Sequence, residues 1–253
     1  MNEFLRSLIA LLLTLYEIII QIKLVVKTFI IILFLGITLQ GFAQEQQAYF
    51  DSQIGKHLKA YKAKSEIAIQ NGDKEHAEFL FDSLFENHLK FSHVRDISLN
   101  RVRGGTLHTA SIDNPFLLIT KSSWEIIKEE EINEINRMSK MYKGQIDIIV
   151  LFWDSKDKAK QKSKSYNSNV TVTYIDERDN DANHIIKSFK HSFGAPACFF
   201  ISEEKQLLKI DKKFTISSSY NRTEVAFSAM HEKIKWMLFN NEPTNSGIIT
   251  TLQ

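Results

Sequence analysis

The stretch FLLITKSSWEIIKEEEINEIN (residues 116–136) sets three kinds of structure end to end. Phe116–Thr120 is a short apolar run, with the length and content of a buried strand. The next three residues are polar and lead to an aromatic, Trp124. From Trp124 to about Tyr142, Ile127, Ile132, Ile135, Met138 and Met141 recur at helical spacing, and Ser122 or Ser123 stands where a helix cap belongs. Strand, loop and amphipathic helix in this order is the first part of a βαβ unit, which directs the search to α/β folds.

Downstream the alternation continues. Gly144 stops the helix, and IDIIVLFW (146–153) is a nearly continuous β-branched and aromatic run, as in a strand covered on both faces. A lysine-rich helix (155–166), the strand VTVTYI (170–175), a helix (182–193) and the strand PACFFIS (196–202) follow. Glu203-Glu204-Lys205 turns the chain into QLLKI (206–210), too tight a connection for a crossover, so these last two strands form an antiparallel hairpin. The last helix is expected from Thr223 to Phe239, with a frayed tail at 241–253. Upstream, VRDISLNRVRGGTLHTASI (94–112) alternates around Gly104-Gly105 and reads as a hairpin. Earlier still, Phe50, Ile54, Leu58 and Tyr61, then Ala77, Leu80, Phe81, Leu84 and Phe85, mark two helices broken at Asn71-Gly72-Asp73. These helices (44–91) read as a packing appendage or dimerisation surface before a main domain at 92–240.

Composition narrows function. Of 253 residues 43% are apolar and 25% charged, and the formal net charge is only +2, with signs mixed along the chain. That is a globular protein with no sequence-wide basicity pointing to nucleic acid. The single cysteine, Cys198, excludes an intramolecular disulfide, a Cys-x-x-Cys redox pair and a cysteine-built zinc site. The eight histidines show no metal-ligand spacing; His184 and His191 share a predicted helix but lack further ligands. No cofactor is expected. Lys156, Lys158, Lys160, Lys162 and Lys164 alternate with other residues and read as a solvated face.

The amino terminus is apolar for roughly forty residues. KTFIIILFLGITLQGFAQ has a basic flank at Lys27, an apolar run and a small-x-small end at Gly41-Phe42-Ala43, the three parts of a secretory signal cleaved after Ala43. This predicts an exported, periplasmic protein with a leader at 1–43, whose true start lies near Val25 or Val26. The alternative is a membrane anchor, because Phe4–Val26 is also long enough to span. The only membrane contact expected is through that segment, if it stays uncleaved.

Residues 92–239 resemble the exported thioredoxin-like redoxins, the TlpA/ResA-type and AhpC/TSA-related proteins. Three features carry the likeness: the hairpin LNRVRGGTLHTASI leading into PFLLIT, TKSSW before a helix (similar to that family's WASWC), and GAPACFFISEE (similar to its Gly-x-Pro-Thr-x-Phe stretch). The resemblance implies a central mixed β-sheet flanked by helices, here preceded by the helical hairpin. In that family the first cysteine of a dithiol lies at a helix N-terminus and the second one turn on. The matching positions here hold Glu125 and Lys128, read as an i,i+3 pair on the first helical turn.

The resemblance therefore implies the scaffold without dithiol exchange, and a binding role at the former redox site. Pro196 matches the family's cis proline, which presents backbone to an extended peptide; with Trp124 and Ala195 it outlines the expected binding residues. Trp124 is either one wall of a peptide groove or packing over the strand end. Cys198 lies in an apolar strand, the usual place of a buried hydrophobe. Two functions follow: a redox-inactive domain binding an extended polypeptide or envelope partner, or a thiol–disulfide or peroxide-reducing enzyme working through Cys198.

Overall fold

The computed structural model describes residues 16, 18–30, 47–122, 124–125, 127–178, 183–190, 192–193, 197–212 and 223–240. The chain divides into two compact units, Met1–Gln46 and Gln47–Gln253. In the first, 18–30 is helical and its apolar side chains are exposed. Among the described residues no helix is long and apolar enough to cross a membrane.

The second unit opens with α1 (Phe50–Gln70) and α2 (Lys74–Leu84), which runs into a π-helical turn, Phe85–Leu89. The break between them is built as its residues dictate. Gly72 takes φ +74°, which only glycine adopts freely, and Asp73 accepts a hydrogen bond from the His76 amide at 2.9 Å as helix cap. Next come β1 (Ser98–Arg101) and β2 (Thr106–His108), turned at Gly104 and Gly105. β3 (Phe116–Lys121), α3 (Glu129–Met141), β4 (Asp147–Phe152), α4 (Lys156–Ser163) and β5 (Val170–Tyr174) follow. A single turn, α5 (Asn183–Ile185), leads into a π-helical turn at Ile186–Lys190. β6 (Ala197–Ile201), β7 (Leu207–Asp211) and α6 (Thr223–Asn240) end the described chain.

The seven strands form one mixed sheet in the order β2-β1-β5-β4-β3-β6-β7. β3 lies parallel to β4 and antiparallel to β6, and β6–β7 is the expected antiparallel hairpin. Because side chains alternate across a strand, the two faces sort cleanly. Phe116, Leu118, Ile149, Leu151 and Phe199 face Phe50, Ile54, Phe81, Leu84, Phe85 and Phe189 from the helices of one layer. Leu117, Ile119, Val150, Phe152 and Phe200 face Ile135, Met138, Ala159, Ile234 and Met237 of the other.

The amino-terminal helices are thus built into the main core. Phe50 is buried among Phe189, Phe193 and Phe199, with ring centroids 5.3, 6.2 and 6.3 Å away. The segment between α2 and β1 also runs along the start of β7. The Phe91 amide donates to Leu207 O, the Leu207 amide to Ser92 O, and the Val94 amide to Lys205 O.

Helix α3 departs from the sequence reading. It starts at Glu129, five residues later than expected, and Ser122 does not cap it: its hydroxyl has no partner among the described residues, and Ser123, the other expected cap, lies outside them. The cause is local. The Glu125 amide donates to Ser122 O and the Glu125 carboxylate accepts from the Ser122 amide at 3.0 Å, closing a turn that the helix cannot share. Lys128, at φ −75° and ψ 145°, is the extended residue before the helix. Glu125 and Lys128 are therefore not an i,i+3 pair on a first helical turn. Met141, expected on the buried side, is exposed, because the helix is ending as it reaches it.

Candidate functional site

The carboxyl end of β3 is where this sheet changes direction of pairing, with a parallel neighbour on one side and an antiparallel one on the other. Open α/β sheets bind ligands outside strand ends at such a switch point. The loop that leaves β3 here carries Ser122, Trp124 and Glu125. Since β6 runs antiparallel to β3, its first residue, Ala197, sits against Thr120, and the Ala197 amide and carbonyl both hydrogen-bond the Thr120 hydroxyl, at 3.3 and 3.2 Å. The strand entry that follows Pro196 in sequence is thereby tied four residues before Trp124. Ala195 and Pro196 themselves, like His191, lie outside the described residues.

Trp124 is 76% exposed, which removes the reading in which it packs over the strand end. Beneath the same loop lies an ionic cluster that sequence reasoning did not assemble. Lys121 closes an otherwise apolar strand on the face shared by Leu117 and Ile119, and it is buried. Its Nζ meets Glu131 Oε1 at 2.5 Å, and the Glu131 side chain, in the first turn of α3, is buried too. The pair is held in place by the backbone: the Trp153 amide donates to Lys121 O at 2.9 Å. Burying two ions is expensive unless they are paired, which explains why Lys121 and Glu131 face each other.

Two groups respond to that cluster. Burial raises the Glu125 carboxyl above its ordinary range, helped by Glu131 and Asp154 and opposed by Lys121 and the Ser122 amide. Burial likewise raises the Tyr166 phenol, with the charges of Glu131 and Glu125 adding to the effect. Among the described residues, the Ser122 and Tyr166 hydroxyls are both buried without a hydrogen-bond partner. The signal for Lys121 was present in the sequence: a lysine at the sixth place of FLLITK, in step with Leu117 and Ile119, has nowhere to go but inward. Nothing in the sequence named Glu131 as its partner, since that depends on where α3 begins. Lys128 is exposed.

Cys198 is completely buried in β6, between Ile119 of β3 and Asp211 of β7. Burial pushes its thiol well up, Asp211 adds to this, and Lys233 and Lys121 oppose it. A thiol that is sealed and held protonated is a poor nucleophile. Among the described residues no group of three His, Cys, Asp or Glu side chains is placed to hold a metal ion.

No protein-family model and no curated protein sequence matches the chain. Solved structures do. A Chlorobium tepidum protein described as a candidate thiol:disulfide interchange protein DsbE is 17% identical, with a TM-score of 0.47, over 59% of this chain and 97% of its own. A thiol-disulfide oxidoreductase from Bacteroides fragilis NCTC 9343 is 15% identical, TM-score 0.43, over 56% and 99%. A hypothetical protein from Sinorhizobium meliloti 1021 is 12% identical, TM-score 0.48, over 63% and 89%. The topology of this chain has a central β3-α3-β4 unit, one further parallel strand, and an antiparallel β6–β7 pair on the other side of β3, the mixed sheet that the sequence resemblance implies. The fold is thioredoxin-like, and with one cysteine in the chain it carries no Cys-x-x-Cys pair.

Proposed function

We propose that the chain is an exported thioredoxin-like protein without redox activity, which holds an extended polypeptide of an envelope partner at the loop carrying Trp124. One contrast carries the reading: the only thiol is completely buried, while the loop in the redox position offers a large, exposed aromatic. An exposed tryptophan on a loop pinned from below is a pre-organised contact, since little freedom is left to lose on binding. The Glu125–Ser122 turn and the Lys121–Glu131 pair are the pins. Pro196 and Ala195, close in sequence to the β6 entry, complete the proposed binding residues.

The experiment uses reduced, carboxymethylated α-lactalbumin as an extended-polypeptide probe, together with an insulin-reduction assay. Binding should weaken about tenfold in Trp124→Ala, the scale of one interface anchor. Insulin should not be reduced by the protein or by Cys198→Ser. Turnover that vanishes in Cys198→Ser would overturn the redox-inactive reading, and equal binding by Trp124→Ala would overturn the loop as the contact. A native chain whose intact mass begins at Gln44 would support export, and a retained leader would count against cleavage.

A further inference from the structure

Away from that loop, the β1–β2 turn and α4 enclose a cleft of about 580 Å³. One wall is the turn, where Gly104 takes φ +99° and Arg103 lines the cleft. The other is the face of α4 that carries Lys156, Lys160 and, just past its end, Lys164, with Ser163 between them. Val102 is the buried floor, anchored by its amide to Val172 O at 3.1 Å. The lining therefore brings four cations from two elements to one space and contains no carboxylate.

Lys156, Lys160 and Lys164 follow one another at four-residue spacing, where like charges repel. Ordinary surface helices relieve such a row with acidic neighbours, and Lys158 shows how: it pairs with Asp154 at 3.5 Å. Among the described residues none of the four cleft cations has an ion-pair partner, and Asp157, the one carboxylate on α4, pairs with none of them. The helix is short and buries only Ala159, so it has little packing with which to offset the repulsion. A solvated lysine face accounts for exposure of these side chains. It does not account for their convergence with Arg103 on a cleft of ligand size.

We propose that this cleft binds a ligand bearing clustered phosphates. A single carboxylate would leave most of the cations unmatched, whereas closely spaced phosphate oxygens can meet three ammonium groups and a guanidinium fork together. Such phosphates come from a soluble phosphorylated molecule or from adjacent headgroups of an anionic lipid surface, each carrying one phosphate, and the two sources are separable. The site shares no residue with the Trp124 loop and does not depend on the role proposed for it.

The test uses the full chain, with tripolyphosphate as soluble probe and vesicles of phosphatidylcholine with and without phosphatidylglycerol. Tripolyphosphate should bind at low salt, weaken steeply as salt is added, and bind at least tenfold more weakly to Lys156→Glu/Lys160→Glu. Arg103→Gln, on the other wall and unable to disturb α4, should weaken it several-fold. If the double variant also loses the preference for phosphatidylglycerol vesicles, the source is a headgroup; if vesicle binding is unchanged, it is a soluble molecule. No tripolyphosphate binding, equal binding by both variants, or binding of hexaglutamate in its place would overturn the proposal.

Discussion

At the scale of single residues, the end of β3 concentrates the unusual chemistry. Lys121 and Glu131 are buried and paired, so removing one partner strands a charge in the core. Lys121→Met or Glu131→Leu alone should destabilise by about 3–5 kcal/mol, while the double variant should come back to near wild type, as buried ion pairs replaced by apolar residues do. A double-mutant cycle in urea checks this. Glu125 gives a pH signature. Its folded pKa is raised above the ordinary 4.5, so the folded state holds the proton longer than the unfolded state. Stability from this group is present below about pH 4.5 and is lost as pH rises through the raised value. Glu125→Gln should abolish that component in the difference between the two stability curves. At pH 7 the gain should be at most about 0.5 kcal/mol, since the half-buried carboxylate is screened by solvent. The residues of this site were unequally legible. That Glu125 and Lys128 match thiol positions is what the sequence resemblance implies; the inward lysine had a signal in the strand pattern that the sequence reading does not use. Exposure of Trp124 was not legible, because a tryptophan before a helix packs or protrudes according to a turn that only the Glu125–Ser122 bonds determine.

At the scale of elements, boundaries followed local chemistry closely where it was strong. Gly72 and Asp73 end one helix and begin the next as their residue types require. Asp73→Ala should cost about 1 kcal/mol of stability, the usual value of an N-cap, without altering the fold seen by circular dichroism. The strands were legible because their apolar runs are long and their partners are many. The start of α3 was not, because a carboxylate that can cap its own turn competes with helix extension. Periodicity records which face is buried and is silent about where the first turn begins.

For the whole molecule, the helical hairpin reads in sequence as a packing appendage or dimerisation surface, because its two-helix pattern has no further copies. In the structure α1, α2 and the following turn supply Phe50, Ile54, Phe81, Leu84, Phe85 and Leu89 to one layer of the core. Removing 47–91 would bare that face of the sheet. Each large aromatic lost from a core of this kind costs about 3–5 kcal/mol, against a total stability of about 5–15 kcal/mol. The remaining chain should therefore unfold without a cooperative transition in calorimetry, and a sharp transition would favour a hairpin that is dispensable to the fold.

The segment that leaves this hairpin has one more effect. By exchanging backbone hydrogen bonds with Leu207 and Lys205 it occupies the outer side of β7 where that strand begins, and Lys209 and Asp211 charge the remainder. At the opposite border β2 is only three residues long. Both borders of the sheet are thus closed to templated growth, the defence that natural sheets use against stacking edge to edge into aggregates. For the polypeptide binding proposed above, this disfavours strand addition at either border and favours the mouth of the sheet, at the end of β3.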